Sequence, residues 1–418
     1  MVVVIAYPRT GLYAMLLLVP LTDLAILESG ATLPRVIGTI TLVAWGLRKL
    51  ARKELIQPLL RGSLPVPMLL FLSLAGVSVL WSYFGVWREA MMTYVRLVAW
   101  VFVLLDLIDS PRRLRIALLF LLIGIFISAG MVIDQSIRYS SAWAGLWARP
   151  LGGRGNPNIS ASTYLIGLPI LFFFMLHRKG WQWLVALAGI GFLYLAIAVT
   201  VSRSAIVLAL LLPVLQIRAA SKFAGRFKYL IAVAAILLVI LPIVPWPQIE
   251  FRFARTVTGD PVLDYGSRVW LAEVALDTIQ QYPLLGRGLG TWQEQYYIVH
   301  NLYLEIASQL GITGFAILVW ILVVAWQSLS KAQQRVSRLG DKDLSSLIAA
   351  LRFSLLIYLL YSFFGSTELK HTLWLLFALA EICRRLSENL LETAEEAQAM
   401  VVASAVVPAS RDLLRQGP

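Results

Sequence analysis

The chain has 418 residues, 59% of them hydrophobic and only 14% charged, with a net charge of +13. A soluble domain carries about 25% charged residues, so this composition excludes an ordinary soluble enzyme and describes a membrane protein. The positive charge does not point to nucleic acid, because most basic residues fall in short connections between apolar runs, where topology and anionic headgroups account for them.

Taken in chain order, about twelve runs are apolar enough to be read as spans of roughly 30 Å of hydrocarbon. They lie near Gly11–Leu27, Val36–Leu47, Pro65–Phe84, Met91–Leu107, Leu114–Ile133, Ile159–Leu176, Trp181–Val199, Ser204–Ile217, Tyr229–Pro245, Ile312–Leu329, Leu344–Phe364 and Thr372–Ile382. The first lacks a small-residue cleavage site and reads as a retained helix rather than a signal peptide. The expected fold is therefore an all-α polytopic membrane protein, with residues 1–385 as one membrane domain and 386–418 as a solvated or disordered tail. The single cysteine, Cys383, excludes a disulfide within the chain and a cysteine-based metal site, and reads as a small buried residue.

Alternate connections differ in charge. Those with Arg48, Lys49, Arg52 and Lys53, then Arg112, Arg113 and Arg115, then Arg178 and Lys179, then Arg218 to Lys228, then Lys331 to Lys342 fall on one side. By the positive-inside rule that side is the cytoplasm of a bacterial inner membrane, and both termini lie there. The other face holds Asp134–Asn158, the short turn TVSRS, a large connection over residues 246–311 and the stretch GSTELKH. Within the large connection, SRVWLAEVALDTIQQYP carries Val269, Ala272, Leu276 and Ile279 at helical spacing. It predicts an amphipathic helix lying at the membrane surface, capped by Ser267 and stopped by Pro283.

Candidate functional residues cluster on that outer face. Arg203 in VSRSA stands where the positive-inside rule disfavours a cation, and its planar fork suits phosphate. Arg268 falls in the first turn of the surface helix, whose N-terminus is itself partly positive. Arg287 lies in PLLGRGLGTW, where Gly286, Gly288 and Gly290 permit a tight backbone path near a ligand. His300 and Asn301 open HNLYLEIASQLGITG, whose residues Leu302, Ile306 and Leu310 form an apolar packing face of a short helix; helical geometry turns Glu305 away from His300. A neutral imidazole there would accept a proton from an attacking hydroxyl. Arg154 and Asn158 in GRGNPN are further candidates, although Asn156 and Asn158 also read as turn residues ahead of a helix. Trp246, Trp270, Tyr282 and Trp292 read as interfacial anchors or sugar-stacking faces. Lys370 and His371 could flank the same cavity but read more simply as a membrane end. Arg96 and Arg352, inside spans, would take an acidic partner such as Asp23 or Asp106.

Together, GRGNPNISASTYL, VSRSA, the block SRVWLAEVALDTIQQYPLLGRGLG and the following HNLYLEIASQLGITG resemble the O-antigen ligase and polymerase superfamily. The resemblance implies a GT-C-like, metal-independent and inverting glycosyltransferase without a cofactor, facing the periplasm. It would move a glycan from undecaprenyl diphosphate to a hydroxyl of lipid A core, or of another glycan in a polymerase. Its partners would be those two substrates and membrane lipids, and no nucleic acid. In it Arg203 and Arg268 would hold the diphosphate and His300 would act on the acceptor hydroxyl; Arg287, Asn301, Arg154 and Asn158 would contact substrate. An anion transporter of bicarbonate-like ions is the alternative from another class, favoured by Arg96 and Arg352 but not by cations gathered on one face.

Overall fold

A computed structural model describes residues 7–21, 32–53, 60, 62–82, 87–139, 150–152, 155–176, 178–219, 268–294, 299–365 and 370–413, with scattered positions between 231 and 250. Among the described residues the elements are helical: α1 (Pro8–Leu18) with a 3-10 turn to Leu21, α2 (Leu33–Ala51), α3 (Pro65–Ser78), α4 (Trp87–Leu107), α5 (Pro111–Tyr139), α6 (Pro157–Leu176), α7 (Trp181–Val199), α8 (Arg203–Ala219), α9 (Arg268–Gln281), α10 (Thr291–Glu294), α11 (Leu302–Arg338), α12 (Lys342–Tyr361) and α13 (His371–Leu413). The protein is an all-helical, polytopic membrane protein. Prolines at the first or second position start α1, α2, α3, α5 and α6, where the missing N–H costs nothing because no carbonyl lies four residues behind it.

Six helices, α4, α5, α6, α7, α11 and α12, are long and apolar enough to cross a membrane. Residues Pro8–Leu21, Pro65–Ser78 and Arg203–Ile217 form shorter apolar helices. The expected span at Tyr229–Pro245 lies for the most part outside the described residues. Beyond Arg385, where the sequence suggested a solvated tail, α13 continues as helix to Leu413.

The bundle is built around α6, the most buried of the six spans, which packs against α12, α7, α8 and α5. A second layer joins α13 to α11, α12 and α4, and α3 to α11. Two apolar helices, α6 and α8, contain a proline, and at α8 a neighbouring helix takes up the freed carbonyl. Pro213 has no N–H for the carbonyl of Ala209, and the hydroxyl of Tyr194 in α7 donates to that carbonyl at 2.9 Å. With no water in hydrocarbon, Tyr194 thus satisfies backbone that an intact helix would satisfy itself. In α6, where Pro169 frees the carbonyl of Leu165, Ser354 of α12 donates to the next carbonyl, that of Ile166, at 2.9 Å and joins the two helices.

Glu381 of α13 is fully buried and ion-paired with Arg384 at 2.7 Å and Arg385 at 3.1 Å. It also accepts from Ser63 at 3.0 Å, which ties the start of α3 to α13. Arg335 of α11 meets Glu388 at 2.9 Å on the same side. Asp106, considered a partner for Arg96, instead binds Lys49 and the indole N–H of Trp45, each at 2.7 Å. Arg352 donates to Gln333 at 2.9 Å and lies over the Trp326 ring, so an amide and a π-face take the place of a carboxylate. Asp23 lies outside the described residues. Cys383 is buried.

Tyr194→Phe strands the buried Ala209 carbonyl. The expected loss is roughly 1–3 kcal/mol, read as a lower unfolding midpoint of the detergent-solubilised protein; an unchanged midpoint would show that the tyrosine does not replace the bond lost at Pro213.

Candidate functional site

The site is organised by a break in α11. Gly311 has φ +67° and ψ −169°, a conformation outside the helix and open in practice only to glycine. The break interrupts the hydrogen-bond ladder, and the stretch 283–290 replaces it. Backbone N–H groups of Arg287 and Gly288 donate to the carbonyls of Ser308 and Gln309 at 3.0 and 2.9 Å, and the N–H of Ile312 donates to Pro283 at 2.9 Å. Side chains extend the seam: Gln309 accepts from the N–H of Gly290 at 3.1 Å, and Trp292 donates to Ser308 at 2.9 Å. Ser78 at the end of α3 accepts from the N–H of Leu289 at 3.2 Å.

This seam explains the glycines of PLLGRGLGTW. A Cβ on Gly286, which has φ +69°, would come within 2.3 Å of the Gln309 carbonyl carbon, and one on Gly311 within 2.2 Å of the Leu284 carbonyl oxygen. The tight path expected near a ligand is a path of backbone against backbone. Trp292, expected at the interface, is 1% exposed and packs inside the seam.

The surface helix forms as α9. Leu271, Ala275 and Thr278 are buried, whereas Val269 and Leu276, two of the four apolar residues at helical spacing, are 69% and 48% exposed. Those two face away from the protein, the side on which an amphipathic surface helix meets lipid. Ala275 joins Trp292 and Val299 in a small core of its own.

His300 precedes α11 rather than riding on a helix. It adopts φ +59°, in the left-handed region. Asn301 then caps α11, its side-chain oxygen accepting from the N–H groups of Tyr303 and Leu304 at 2.9 and 3.2 Å. The N–H of Leu302 donates to Ser362 at 2.9 Å and the hydroxyl of Tyr303 to Leu359 at 3.0 Å, fixing the segment to the end of α12. Leu302, Ile306 and Leu310 are all buried, as the sequence suggested. Glu305 is buried too, and its charge is not among those acting on His300.

Arg203 is the first residue of α8 and Arg268 the first of α9, while His300 stands two residues ahead of α11. The turn before Arg203 contains a left-handed valine, Val201 at φ +51°, between buried Thr200 and Ser202. The three groups meet electrostatically. Arg268 is exposed at its helix end, yet enough protein surrounds its guanidinium for desolvation to lower its pKa, and the Arg203 charge lowers it further while Tyr361 opposes the shift. Burial, and then the Arg268 charge, push His300 down from 6.5 to about 4. The imidazole is therefore neutral at pH 7.

Arg203, Arg268 and His300 thus act on one another electrostatically, each at or just ahead of a helix start, where the helix dipole adds to the positive potential. Arg287 is half-buried and is not among the charges acting on His300 or Arg268. Asn158 donates its N–H to the side chain of Asn156 at 2.9 Å, in a turn that caps α6. Arg154 lies outside the described residues. The sequence reading missed Tyr361, buried at the end of α12 beside Arg268; nothing in LIYLLYSFFG distinguishes it from other aromatic residues at a helix end.

Residues 187–319 match the family model described as O-Antigen ligase. Over that segment, about a third of its length, the chain is similar to the O-antigen ligase family. No curated protein matches the chain significantly. Members of the O-antigen ligase family are membrane glycosyltransferase-like enzymes. The matched segment runs from α7 into α11 and holds Arg203, Arg268, Arg287, His300 and the Gly311 break, whereas GRGNPN lies before it.

Two outcomes follow. Gly311→Ala puts a methyl group into the Leu284 carbonyl and should abolish stable expression, or unfold the seam so that the amides of Arg287, Gly288 and Ile312 lose their protection from hydrogen exchange. Arg268→Gln should raise the His300 pKa without restoring 6.5, because burial is the larger cause; an NMR titration of the imidazole that shows no rise would separate the two residues.

Proposed function

We propose that the protein is a glycosyltransferase that moves a glycan from undecaprenyl diphosphate to an acceptor hydroxyl, with lipid A core as the acceptor. The observation that carries this reading is the meeting of two arginines at helix starts with a neutral histidine. Arg203 and Arg268 hold the diphosphate and neutralise the charge that grows on it as the bond to the anomeric carbon breaks, the task a divalent cation performs elsewhere. The acceptor oxygen attacks the anomeric carbon from the opposite side, inverting it, and its proton passes to the His300 imidazole. Undecaprenyl diphosphate leaves. In the free protein His300 is a weak base, because it is buried and because Arg268 stands beside it. A bound diphosphate offsets that cation and strengthens the base when an acceptor is to be activated.

Tyr361 supports Arg268 as a positioning residue, and Asn301 fixes the backbone that carries His300 by capping α11. This places the chemistry on the outer face of a bacterial inner membrane with both termini inside, in agreement with the charge asymmetry of the connections.

Reconstitution with a glycan on undecaprenyl diphosphate and two acceptors, lipid A core and a second carrier-linked glycan, tests the assignment. Product on the core is expected; lengthening of the carrier-linked glycan would make the protein a polymerase, and no product from either would remove the transferase reading. His300→Ala should lower kcat by about 10²–10⁴ if it is the base, and Arg203→Ala should abolish transfer, both with intact membrane insertion. Chelation should leave the rate unchanged. The acid limb of kcat/KM should fall near the free-protein value of about 4, whereas that of kcat should lie at higher pH, since bound diphosphate cancels part of the Arg268 effect.

A further inference from the structure

A cavity of about 210 Å³ lies away from the arginine–histidine cluster, among α1, α2, α4, the start of α6 and the start of α13. Three cations line it: Arg35 of α2, Arg96 of α4, and Lys370 ahead of α13. None of them forms an ion pair with a carboxylate among the described residues, although the charge of Glu89 reaches Arg96 from further up α4. Arg96 donates its Nε to Met92 at 2.9 Å and one Nη to Thr93 at 3.1 Å, which leaves further guanidinium donors. It stands nine residues into a membrane span, where an arginine costs about 2.5–3.5 kcal/mol at a helix centre and marks a ligand or pathway.

Two neutral groups make the same point independently. Trp100 is 5% exposed, lines the cavity, and its indole N–H has no hydrogen-bond partner; the hydroxyl of Thr32, also in the lining, has none either. A buried donor left without an acceptor is costly, so an acceptor-rich ligand is the missing component. The volume is below the roughly 300–1,000 Å³ of pockets that enclose drug-sized ligands, which suits a headgroup rather than an oligosaccharide. Below the cavity mouth, Arg35 and Thr39 of α2 continue into an exposed apolar stripe, Val43, Leu47 and Leu50, at helical spacing.

We propose that this cavity is a second anion site, which takes the phosphate of an amphiphilic lipid while the lipid's chain lies along the α2 stripe. Arg35, Arg96 and Lys370 hold the phosphate charge, and Trp100 and Thr32 donate to its oxygens. The site shares no residue with the transfer cluster and stands or falls independently of the proposed reaction.

Native mass spectrometry of the purified full chain, stripped of lipid in detergent and titrated with phosphatidylglycerol, tests it. The wild type should keep one phosphatidylglycerol at concentrations where Arg35→Gln combined with Arg96→Gln loses at least tenfold in occupancy. Arg112→Gln with Arg115→Gln, the same change in charge on two exposed residues at the other membrane side, should bind as the wild type does, as should His300→Ala. Equal retention by the Arg35/Arg96 variant would overturn the site. Displacement of the lipid by millimolar inorganic phosphate would assign the cavity to a free anion and overturn the lipid part. Should Arg96→Gln fail to fold, Trp100→Phe, which removes only the N–H, and Lys370→Gln should each reduce occupancy at least threefold, and no reduction in either would sink the proposal.

Discussion

The candidate site depends on how the break at Gly311 is satisfied. A helix interrupted inside a membrane leaves carbonyls and N–H groups that neither lipid nor the helix itself can pair. Here the stretch 283–290 supplies the missing partners from its own backbone, through Arg287, Gly288 and Pro283. The position of α9 relative to α11 is thereby set by hydrogen bonds between main chains, which tolerate far less sliding than apolar side chains do. Arg268 at the start of α9 and His300 ahead of α11 inherit that rigidity, the condition a preorganised charged site requires.

Such a frame is needed because the cluster repels itself. Arg203 and Arg268 each disfavour the other's charge, and Arg268 disfavours protonation of His300. A flexible loop would relax by moving the groups apart. In the proposed reaction that repulsion favours a bound dianion, and linkage makes the effect reciprocal: an anion that raises the basicity of His300 binds better when His300 is protonated. Tyr361 is the countervailing group, reached from α12, the helix that also anchors Leu302 and Tyr303.

The sequence carried the element types well, because they depend on local patterns. Apolar run length identified the spans; a cation on the disfavoured side of the charge asymmetry singled out Arg203, and a partly positive helix start singled out Arg268. What it did not carry was direction. Nothing in the spacing of Val269 and Leu276 says that Leu271, Ala275 and Thr278 form the packed side of α9. The glycines at 286 and 288 were read as room for a ligand, although their neighbours are Gln309 and Ser82, far away in sequence. Asp106 was available as a partner for Arg96 by composition alone, and only the packing of α2 on α4 gives it to Lys49 and Trp45.

The left-handed residues add the last constraint. Val201 and His300 are non-glycine residues at φ +51° and +59°, and for a β-branched valine this is a true outlier that persists only where the surroundings over-determine it. At Val201 the turn is closed by the Ser202 N–H on the Thr200 hydroxyl at 3.3 Å and by burial of all three residues. The outcome is that Arg203 begins α8 instead of ending α7. Its guanidinium then sits with the positive end of a helix, as Arg268 does at α9 and the His300 segment does at α11. The neutral imidazole of His300 has two causes in the same arrangement, its burial first and the Arg268 charge at the start of α9 second.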